Sequence, residues 1–287
     1  VHLANLNADV SVLIGKIIHK PVYIKLASGG ESGEIKRFRK LATLTRFFGL
    51  RHASRVQAIS NEIFDEAMRI GVSSSRLIKI SNGVKFEKIV DIAGEKKKNR
   101  SELRSSLFLS DCAFIFLYLG RIATYKGIAD LLEAWRLSNF SSDVALVIAG
   151  PLALDHPYNI HTIDTRIHVL GNQTNTRKFL FGSDCFILPS HGEGMSNALL
   201  EAMASKLPII STNVGASAEV LNFGSGGRLV PPHSPKLLSK AMLDAFEDPE
   251  RSKKMANFSY KQIEKKFSIE QVSLAIIEEY HAMTKPI

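Results

Sequence analysis

Short apolar or β-branched runs alternate with amphipathic segments of helical length along most of this 287-residue chain. The segments at 128–137 and 234–246 place apolar residues at three- and four-residue spacing, and Ser234 is predicted to cap the second. Strands that alternate with helices predict an α/β protein whose parallel sheets are covered on both faces. The predicted strands are VYIKL (22–26), RVQAI (55–59), LIKI (77–80), AFIFLYL (113–119), VALVIA (144–149), CFILP (185–189) and PIIS (208–211).

One polar stretch interrupts this alternation. Residues 85–106 include three consecutive lysines and predict a solvated connector between two α/β units. The first unit then contains only two or three strands, and the opening VHLANLN has the pattern of a strand and its loop. We therefore expect an amino-terminal portion of the first domain to be absent from this sequence. The expected domains are a partial acceptor-side domain at 1–88, joined by a closing helix at 268–287, and a second domain at 89–267.

Composition narrows the cellular setting. The sequence contains no run of 18 apolar residues and no secretory signal pattern, which favours a cytoplasmic protein. Cys112 and Cys185 lie in apolar runs and are predicted to be two buried free thiols. The net charge of +9, from 37 basic and 28 acidic residues, indicates an anionic partner. Charge alone does not decide between a nucleotide, a nucleic acid and a membrane surface.

The stretch LGRIATYKG (119–127) has the pattern of a phosphate-binding turn. A predicted strand ends at Leu119, and Gly120, Arg121 and Lys126 follow before a helix. Ligands of open α/β sheets bind beyond the carboxyl ends of the strands. A planar guanidinium and a lysine ammonium at that place suit a diphosphate. LGNQTN (170–175) is a second strand-to-helix turn of this kind.

A pair of glutamates marks a third turn. Glu193 and Glu201 are separated by seven residues, and a predicted helix begins near Ser196. Backbone N–H groups at a helix start, here those of Met195 and Ser196, suit an anion, whereas a carboxylate repels one. A carboxylate does accept hydrogen bonds from neighbouring hydroxyls, which a sugar and a ribose both present. One glutamate at each end of a diphosphate therefore fits a nucleotide-sugar.

The pattern G-R-x4-K-G followed by E-G-M-S-N-A-L-L-E-A-M-A resembles the donor site of glycosyltransferase family 4, the retaining enzymes of GT-B fold. The resemblance implies two Rossmann-like domains that face a cleft, the first of them incomplete here. It extends over most of the chain, since further segments follow in the family's order. These are SNGV (81–84), LVIAGP (146–151), LGN (170–172), FILPSHGEGMSNALLEAMA (186–204), STNVGASAEVL (211–221) and FSIEQVSLAIIEEY (267–280).

The resemblance also implies roles for the matching residues. Arg121 and Lys126 would hold the diphosphate as it leaves, and Glu193 would bind hydroxyls of the donor sugar. Glu201 would bind the ribose, and no metal or cofactor is expected beside a UDP- or GDP-linked sugar. The remaining donor-binding positions would be Gly120 in the first turn, Gly171 and Asn172 beside the base, and the amides of Gly194, Met195 and Ser196 at the phosphates.

Some positions depart from the family's pattern. Many relatives have a histidine after the strand that corresponds to VYIKL, where this chain reads ASGGESGE (27–34). Gly29 and Gly30 are the candidate phosphate or acceptor loop there. Lys85 stands where an aspartate is common. These departures concern the geometry of the sugar rather than the class of reaction.

Residues 34–55 interleave seven basic residues with Phe38, Leu41, Leu44 and Phe48. On a helix this pattern gives an apolar stripe beside a basic face. One interpretation is a helix lying in the plane of an anionic membrane, and the other is a core-packed helix with a basic solvent face. Both stay open at this point. Away from the motifs, Trp135 is predicted to pack in the core and His191 to be an ordinary loop residue.

These patterns predict a glycosyltransferase that moves a sugar from a nucleoside diphosphate to an acceptor hydroxyl. The expected acceptor is a glycan or lipid-linked glycan in cell-envelope or exopolysaccharide synthesis, reached from the cytoplasm or the inner face of the membrane. The alternatives are a nucleotide-sugar 2-epimerase of the same fold and a catalytically silent nucleotide-sugar-binding protein. Only the charge favours a nucleic-acid partner, and no such partner is expected.

Overall fold

The computed structural model describes residues 6–27, 47–86, 92–154 and 164–284. The chain divides into two compact units. The smaller unit comprises Val1–Gly83, Gly192–Ser196 and Lys265–Ile287. The larger unit comprises Val84–His191 and Asn197–Glu264.

The smaller unit contains a parallel sheet of order β1-β2-β3, in which Ile24 lies opposite Val56 and Val56 opposite Leu77. Arg55 forms an ion pair of 2.9 Å with Glu279, and the rings of Tyr23 and Tyr280 lie 5.1 Å apart. These contacts fasten the last helix of the chain to the sheet. The elements are α1 (Leu6–Ile17), β1 (Tyr23–Leu26), α2 (Phe48–His52), β2 (Arg55–Ala58), α3 (Asn61–Arg69), β3 (Leu77–Lys79) and α11 (Ile269–Thr284).

The larger unit contains a parallel sheet of order β6-β5-β4-β7-β8-β9. Strand order reverses beside β4, because β5 pairs with one of its edges and β7 with the other. Such a switch point opens a crevice at the carboxyl ends of the strands. The elements are α4 (Ile92–Ser106), β4 (Phe114–Leu119), α5 (Ile128–Ser138), β5 (Val144–Ala149), β6 (Ile167–Gly171), α6 (Thr176–Gly182), β7 (Cys185–Leu188), α7 (Asn197–Ala204), β8 (Ile209–Thr212), α8 (Ser217–Val220), β9 (Arg228–Val230), α9 (Pro235–Glu247) and α10 (Pro249–Gln262).

The core of the larger unit follows from its apolar strands. Every residue of β5 is buried, as expected of a central strand covered on both faces. On one face, α5 and α9 pack against each other and against the sheet, and the hydroxyls of Ser138 and Ser239 are 2.8 Å apart between them. Trp135 is buried on this face as predicted, and its Nε1 donates to Asp164 at 2.9 Å. Each of the seven predicted strands overlaps an observed strand.

The solvated connector predicted at 85–106 is wrong for its greater part, because residues 92–106 form α4. This helix packs on α6 through Leu103 and Arg104, which are both fully buried. Arg104 is satisfied there by Asp184 at 2.6 Å and by the carbonyl of Gly182 at 2.8 Å. Sequence periodicity does not identify a buried arginine, because an arginine can be buried only where a partner such as Asp184 neutralises its charge.

Smaller differences also have local causes. Cys185 is buried, and burial raises the pKa of its thiol, but Cys112 is exposed in the turn before β4. Ser234 is the N-cap residue of α9 by position, yet its hydroxyl donates to the carbonyl of Pro232 and forms no side-chain cap. In the opening VHLANLN, α1 already begins at Leu6. Within the described ranges, no helix is both long enough and apolar enough to cross a bilayer.

Candidate functional site

The turn after β4 presents Arg121 at the carboxyl end of that strand. Gly120 N–H donates to the Ala149 carbonyl at 3.0 Å, and the Ile122 N–H donates to the Pro151 carbonyl at 2.8 Å. The hydroxyl of the buried Tyr118 also donates to the Arg121 carbonyl, at 2.7 Å. The backbone of the turn is therefore fixed while the Arg121 side chain is exposed.

Lys126 ends a short 3-10 turn, and Gly127 follows with a φ of +69°. A Cβ at Gly127 would lie 1.9 Å from the Pro189 carbonyl oxygen. Only glycine permits this close approach between the turn after β4 and the turn after β7. The half-buried Lys126 is consequently set at the sheet edge, with its Nζ 5.2 Å from the Tyr125 ring centroid.

The turns after β5 and β6 are built on glycine in the same way. Gly150 N–H donates to the Gly171 carbonyl at 2.7 Å, and a Cβ on Gly150 would lie 1.8 Å from the Gly120 carbonyl oxygen. Gly171 has a φ of +63°. The carboxyl ends of β4, β5 and β6 are thereby brought together, and Asn172 is exposed at their rim.

Glu201 extends from α7 and is half-buried. Burial raises the pKa of its carboxyl group, because the charged form loses contact with water. Hydrogen bonds from ligand hydroxyls would compensate that loss. The position therefore suits a carboxylate that receives hydroxyl donors.

A pocket of about 240 Å³ at this sheet edge brings four of the predicted site residues together: Gly120, Arg121, Asn172 and Glu201. Lys126 and Gly171 lie in the same turns but do not line it. A guanidinium, a carboxylate and an amide thus share one pocket at the carboxyl ends of parallel strands. This combination can bind an anion and neighbouring hydroxyls at the same time.

The other predicted residues of the paired-glutamate motif lie in Gly192–Ser196, which belongs to the smaller unit. Within that unit, Asn82 N–H donates to Met195 Sδ at 3.2 Å, and Asn82 Nδ2 donates to the Met195 carbonyl at 3.3 Å. Gly194 and Met195 are buried, whereas Glu193 and Ser196 are half-buried. The helix α7 begins directly after Ser196, close to the predicted start.

Gly29 and Gly30, the candidate phosphate or acceptor loop, lie outside the described residues. The same holds for residues 34–46 of the predicted basic amphipathic helix. Its last part is described, and α2 covers Phe48–His52.

Several residues near the pocket were not predicted from sequence. Gln173 and Thr176 line the same pocket, and the Gln173 side chain donates to the Leu170 carbonyl at 2.7 Å. Glu201 also lines a neighbouring pocket of about 310 Å³ together with Lys85 and Arg177. Proximity to the LGN turn was the available signal for both, because Gln173 directly follows Asn172 and Thr176 begins the next helix.

His191 was predicted to be a loop residue and does lie in the turn after β7. Its Nε2 is 2.9 Å from Asp130 Oδ2, and its ring centroid is 3.7 Å from that of His233. Potential ligand atoms of these three side chains lie within 4.8 Å of one another, so they are the described residues that could hold a metal ion. His191 and Asp130 also have a structural role, because their contact joins the turn after β7 to α5. The expectation that no metal is used stays a prediction.

The model of the family "Glycosyl transferases group 1" matches residues 99–262, which is more than half of the chain. The chain belongs to that family. Its match begins within α4 and contains the turn after β4, the pocket and α7.

Two curated relatives illustrate the range of sequence similarity. TuaC of Bacillus subtilis, named for teichuronic acid biosynthesis, is 26% identical over 237 residues, which are 81% of this chain and 57% of TuaC. The capsular polysaccharide biosynthesis glycosyltransferase CapM of Staphylococcus aureus is 23% identical over 286 residues, 96% of this chain and 73% of CapM. The chain thus spans little more than half of TuaC.

A solved structure shows the fold. HepE from Anabaena in complex with UDP superposes with a TM-score of 0.83 at 19% identity, over 96% of this chain and 76% of HepE. The predicted α/β class and GT-B fold are confirmed.

Proposed function

We propose that this chain carries the donor site of a glycosyltransferase that moves a sugar from a nucleoside diphosphate to an acceptor hydroxyl. One observation carries the proposal: Arg121, Asn172 and Glu201 line one pocket at the carboxyl ends of the strands of the larger sheet, together with Gly120. Cation, carboxylate and amide are the groups that a diphosphate, a ribose and a base respectively require.

The diphosphate is assigned to Arg121 and Lys126. Arg121 offers a planar fork of N–H donors, and Lys126 offers a compact charge from the same turn. Charge accumulates on the diphosphate as the bond to the sugar breaks, so fixed cations stabilise the transition state more than the bound donor. Two cations held by a rigid turn supply the charge that a metal ion supplies elsewhere, and we propose that transfer needs no metal.

The hydroxyl groups are assigned to the two glutamates. Glu201 accepts from the ribose, where its half-buried carboxylate exchanges lost hydration for hydrogen bonds. Glu193 accepts from the donor sugar, and the amides of Gly194, Met195 and Ser196 face phosphate. Gly171 and Asn172 lie beside the base.

The stereochemical course is proposed as retention. The acceptor attacks from the face that the diphosphate leaves, and a phosphate oxygen takes the acceptor proton. The alternative for retention is a carboxylate nucleophile beside a second acidic residue. We assign Glu193 to the sugar hydroxyls and Glu201 to the ribose, so neither carboxylate of the motif is left to act as the nucleophile.

The comparisons support the substrate classes. HepE is seen with UDP and, in another crystal, with UDP-glucose, which favours a UDP-linked donor. The names of TuaC and CapM favour a glycan or lipid-linked glycan acceptor of the cell envelope or capsule. We propose a cytoplasmic site of action, with contact to an anionic membrane surface where the acceptor is lipid-linked.

Calorimetric titration with UDP, GDP, ADP and dTDP in the presence of EDTA tests the donor site. One diphosphate should bind clearly, and Arg121→Ala should weaken it about 10- to 100-fold, the size of a charge-assisted hydrogen bond. Arg136→Ala is the matched control, because Arg136 is exposed on α5 and pairs with Glu133 one turn away on the same helix. Equal losses in the two variants, or no binding by folded protein, would refute the assignment.

A second measurement separates transfer from epimerisation. Nuclear magnetic resonance of the matching nucleotide-sugar, without any acceptor, should show an unchanged sugar configuration. Accumulation of a 2-epimer would replace the transferase proposal by the epimerase alternative.

A further inference from the structure

A second pocket, of about 470 Å³, lies at the amino-terminal ends of the strands of the larger unit's sheet. Phe114 begins β4, Asp184 directly precedes β7, and Pro208 closely precedes β8, and all three line this pocket. The 240 Å³ pocket is lined instead by Leu119 and Ala149 at the carboxyl ends of β4 and β5. Because parallel strands place these ends at opposite edges, the two pockets are separate sites.

The lining of this pocket has a surplus of positive charge. Of its described lining residues, one is acidic, namely Asp184, and five are basic. The Asp184 carboxylate is already used, since it pairs with Arg100 and with the buried Arg104 and accepts the Ile115 N–H at 2.8 Å. This single carboxylate therefore does not balance the five basic residues. The basic lining residues are Lys96, Lys97, Arg100, Lys206 and Lys253.

Lys96 is one of the half-buried cations of this lining. Its Nζ donates to the Lys206 carbonyl at 2.7 Å. The pKa of Lys96 is lowered to about 8, chiefly by burial; the charge of Asp184 opposes this shift, and the charges of Lys206 and Arg100 add to it. A partly desolvated ammonium is stabilised by a counter-anion, because the attraction between the two charges compensates for the lost contact with water.

The rest of the wall is apolar. Phe114 and Phe181 contribute aromatic surface, and Ile92, Pro208 and Ala245 contribute aliphatic surface. A bare inorganic ion would leave this surface in contact with water. A ligand with an anionic head and a hydrocarbon part would cover both regions.

We propose that this pocket binds an amphiphilic phosphate ester, with the phosphate held by Lys96, Lys206 and Lys253 and the hydrocarbon against the apolar wall. The ester is either a soluble metabolite or the head of an acidic lipid, since both present the same phosphate and the same adjoining apolar chain. Binding there is independent of the nucleotide-sugar site.

Calorimetric titration with hexyl phosphate, beside inorganic phosphate and hexanol, tests the proposal. Hexyl phosphate should bind at least about tenfold more tightly than either fragment, because it alone engages both the cations and the apolar wall. Phosphatidylcholine vesicles with and without phosphatidic acid distinguish the sources. Sedimentation only with phosphatidic acid identifies a lipid head, and no sedimentation together with hexyl phosphate binding identifies a soluble ester.

Two matched pairs of variants locate the site. Lys96→Gln should lower the affinity for hexyl phosphate about tenfold. Lys98→Gln removes the same charge from the same helix outside the pocket and should change that affinity less than about twofold. Lys253→Gln and Lys254→Gln make a second pair on α10 if the first variant fails to fold. Equal effects within a pair would show unspecific charge attraction and overturn the proposal.

The donor-site variant separates this inference from the proposed function. Arg121→Ala should bind hexyl phosphate like the unmodified chain, and UDP should not displace it. Displacement by UDP would place hexyl phosphate in the donor pocket and refute a second site. Absence of hexyl phosphate binding by folded protein would also refute it, without bearing on the donor site.

Discussion

Replacement of Gly127 by alanine tests how the phosphate turn is built. The new Cβ would start 1.9 Å from the Pro189 carbonyl oxygen, whereas real Cβ contacts shorter than 3.0 Å essentially never occur. The turn after β4 or the end of β7 must therefore move by about an ångström. That displacement reaches Lys126 directly, because it precedes Gly127 on the chain.

The cost has two parts. A residue with a Cβ at a φ of +69° loses roughly 1–2 kcal/mol relative to glycine. Overpacking against a backbone carbonyl adds about 1–3 kcal/mol, because the neighbour is the end of a buried strand and has little freedom to yield. The free energy of unfolding should fall by about 2–5 kcal/mol, a large share of the roughly 5–15 kcal/mol typical of folded domains.

Gly171→Ala is the matched control for this substitution. Its φ of +63° is nearly the same, but a Cβ there meets nothing within 4 Å. The conformational cost and the effect of alanine on the unfolded chain are shared by the two variants. The difference between them isolates the steric part.

Thermal unfolding followed by circular dichroism provides the assay. The Tm of Gly127→Ala should lie roughly 2–12 °C below that of Gly171→Ala, from about 2–4 °C for each kcal/mol in a chain of this size. Equal Tm values for the two variants would mean that the close approach to Pro189 does not constrain the turn, and the reasoning would fail.

Two further predictions concern charged groups. Asp184→Asn should destabilise the larger unit by about 3–5 kcal/mol in denaturant unfolding, because it leaves the fully buried Arg104 without its counter-charge; a loss below about 1 kcal/mol would contradict this. Hydrogen bonds from Arg166 hold the pKa of Asp164 far below its ordinary 3.8, and the Trp135 hydrogen bond lowers it too. A carboxyl group whose pKa is depressed in the folded state stabilises the fold above pH 3.8 and progressively less below it. In Asp164→Asn, the free energy of unfolding should therefore fall less steeply between pH 4 and pH 2 than in the unmodified chain. An unchanged dependence on pH would refute the stabilising role of Asp164.

The strands were the most predictable part of this protein. A fully buried parallel strand such as Val144–Ala149 must be apolar on both faces, so its sequence identifies it without further context. The two strands not predicted as apolar runs, Ile167–Gly171 and Arg228–Val230, lie at the sheet edges and are only partly buried. An edge strand has one paired neighbour and one exposed side, and its pattern is correspondingly weak.

The candidate site was predictable to the extent that its chemistry lies in short motifs. Gly120, Arg121, Asn172 and Glu201 were assigned from spacing and resemblance, and the structure brings them to one pocket. Lining residues such as Thr176 carry no motif of their own, because a pocket wall is made by neighbours in space. For the same reason the pocket around Lys96 was read from the sequence as part of a solvated connector.

The sequence by itself determined the alternation of strands and helices, and with it the parallel sheet whose carboxyl edge holds the glycine-rich turns. Local physics suffices for this, because burial on two faces, helical periodicity and the freedom of glycine act within a few residues of each other. Only the tertiary structure decided that Arg104 is a core residue, that Gly127 is required by Pro189, and that the lysines near α4 line a cavity. Each of those facts depends on a partner more than 50 residues away along the chain, which no local pattern specifies.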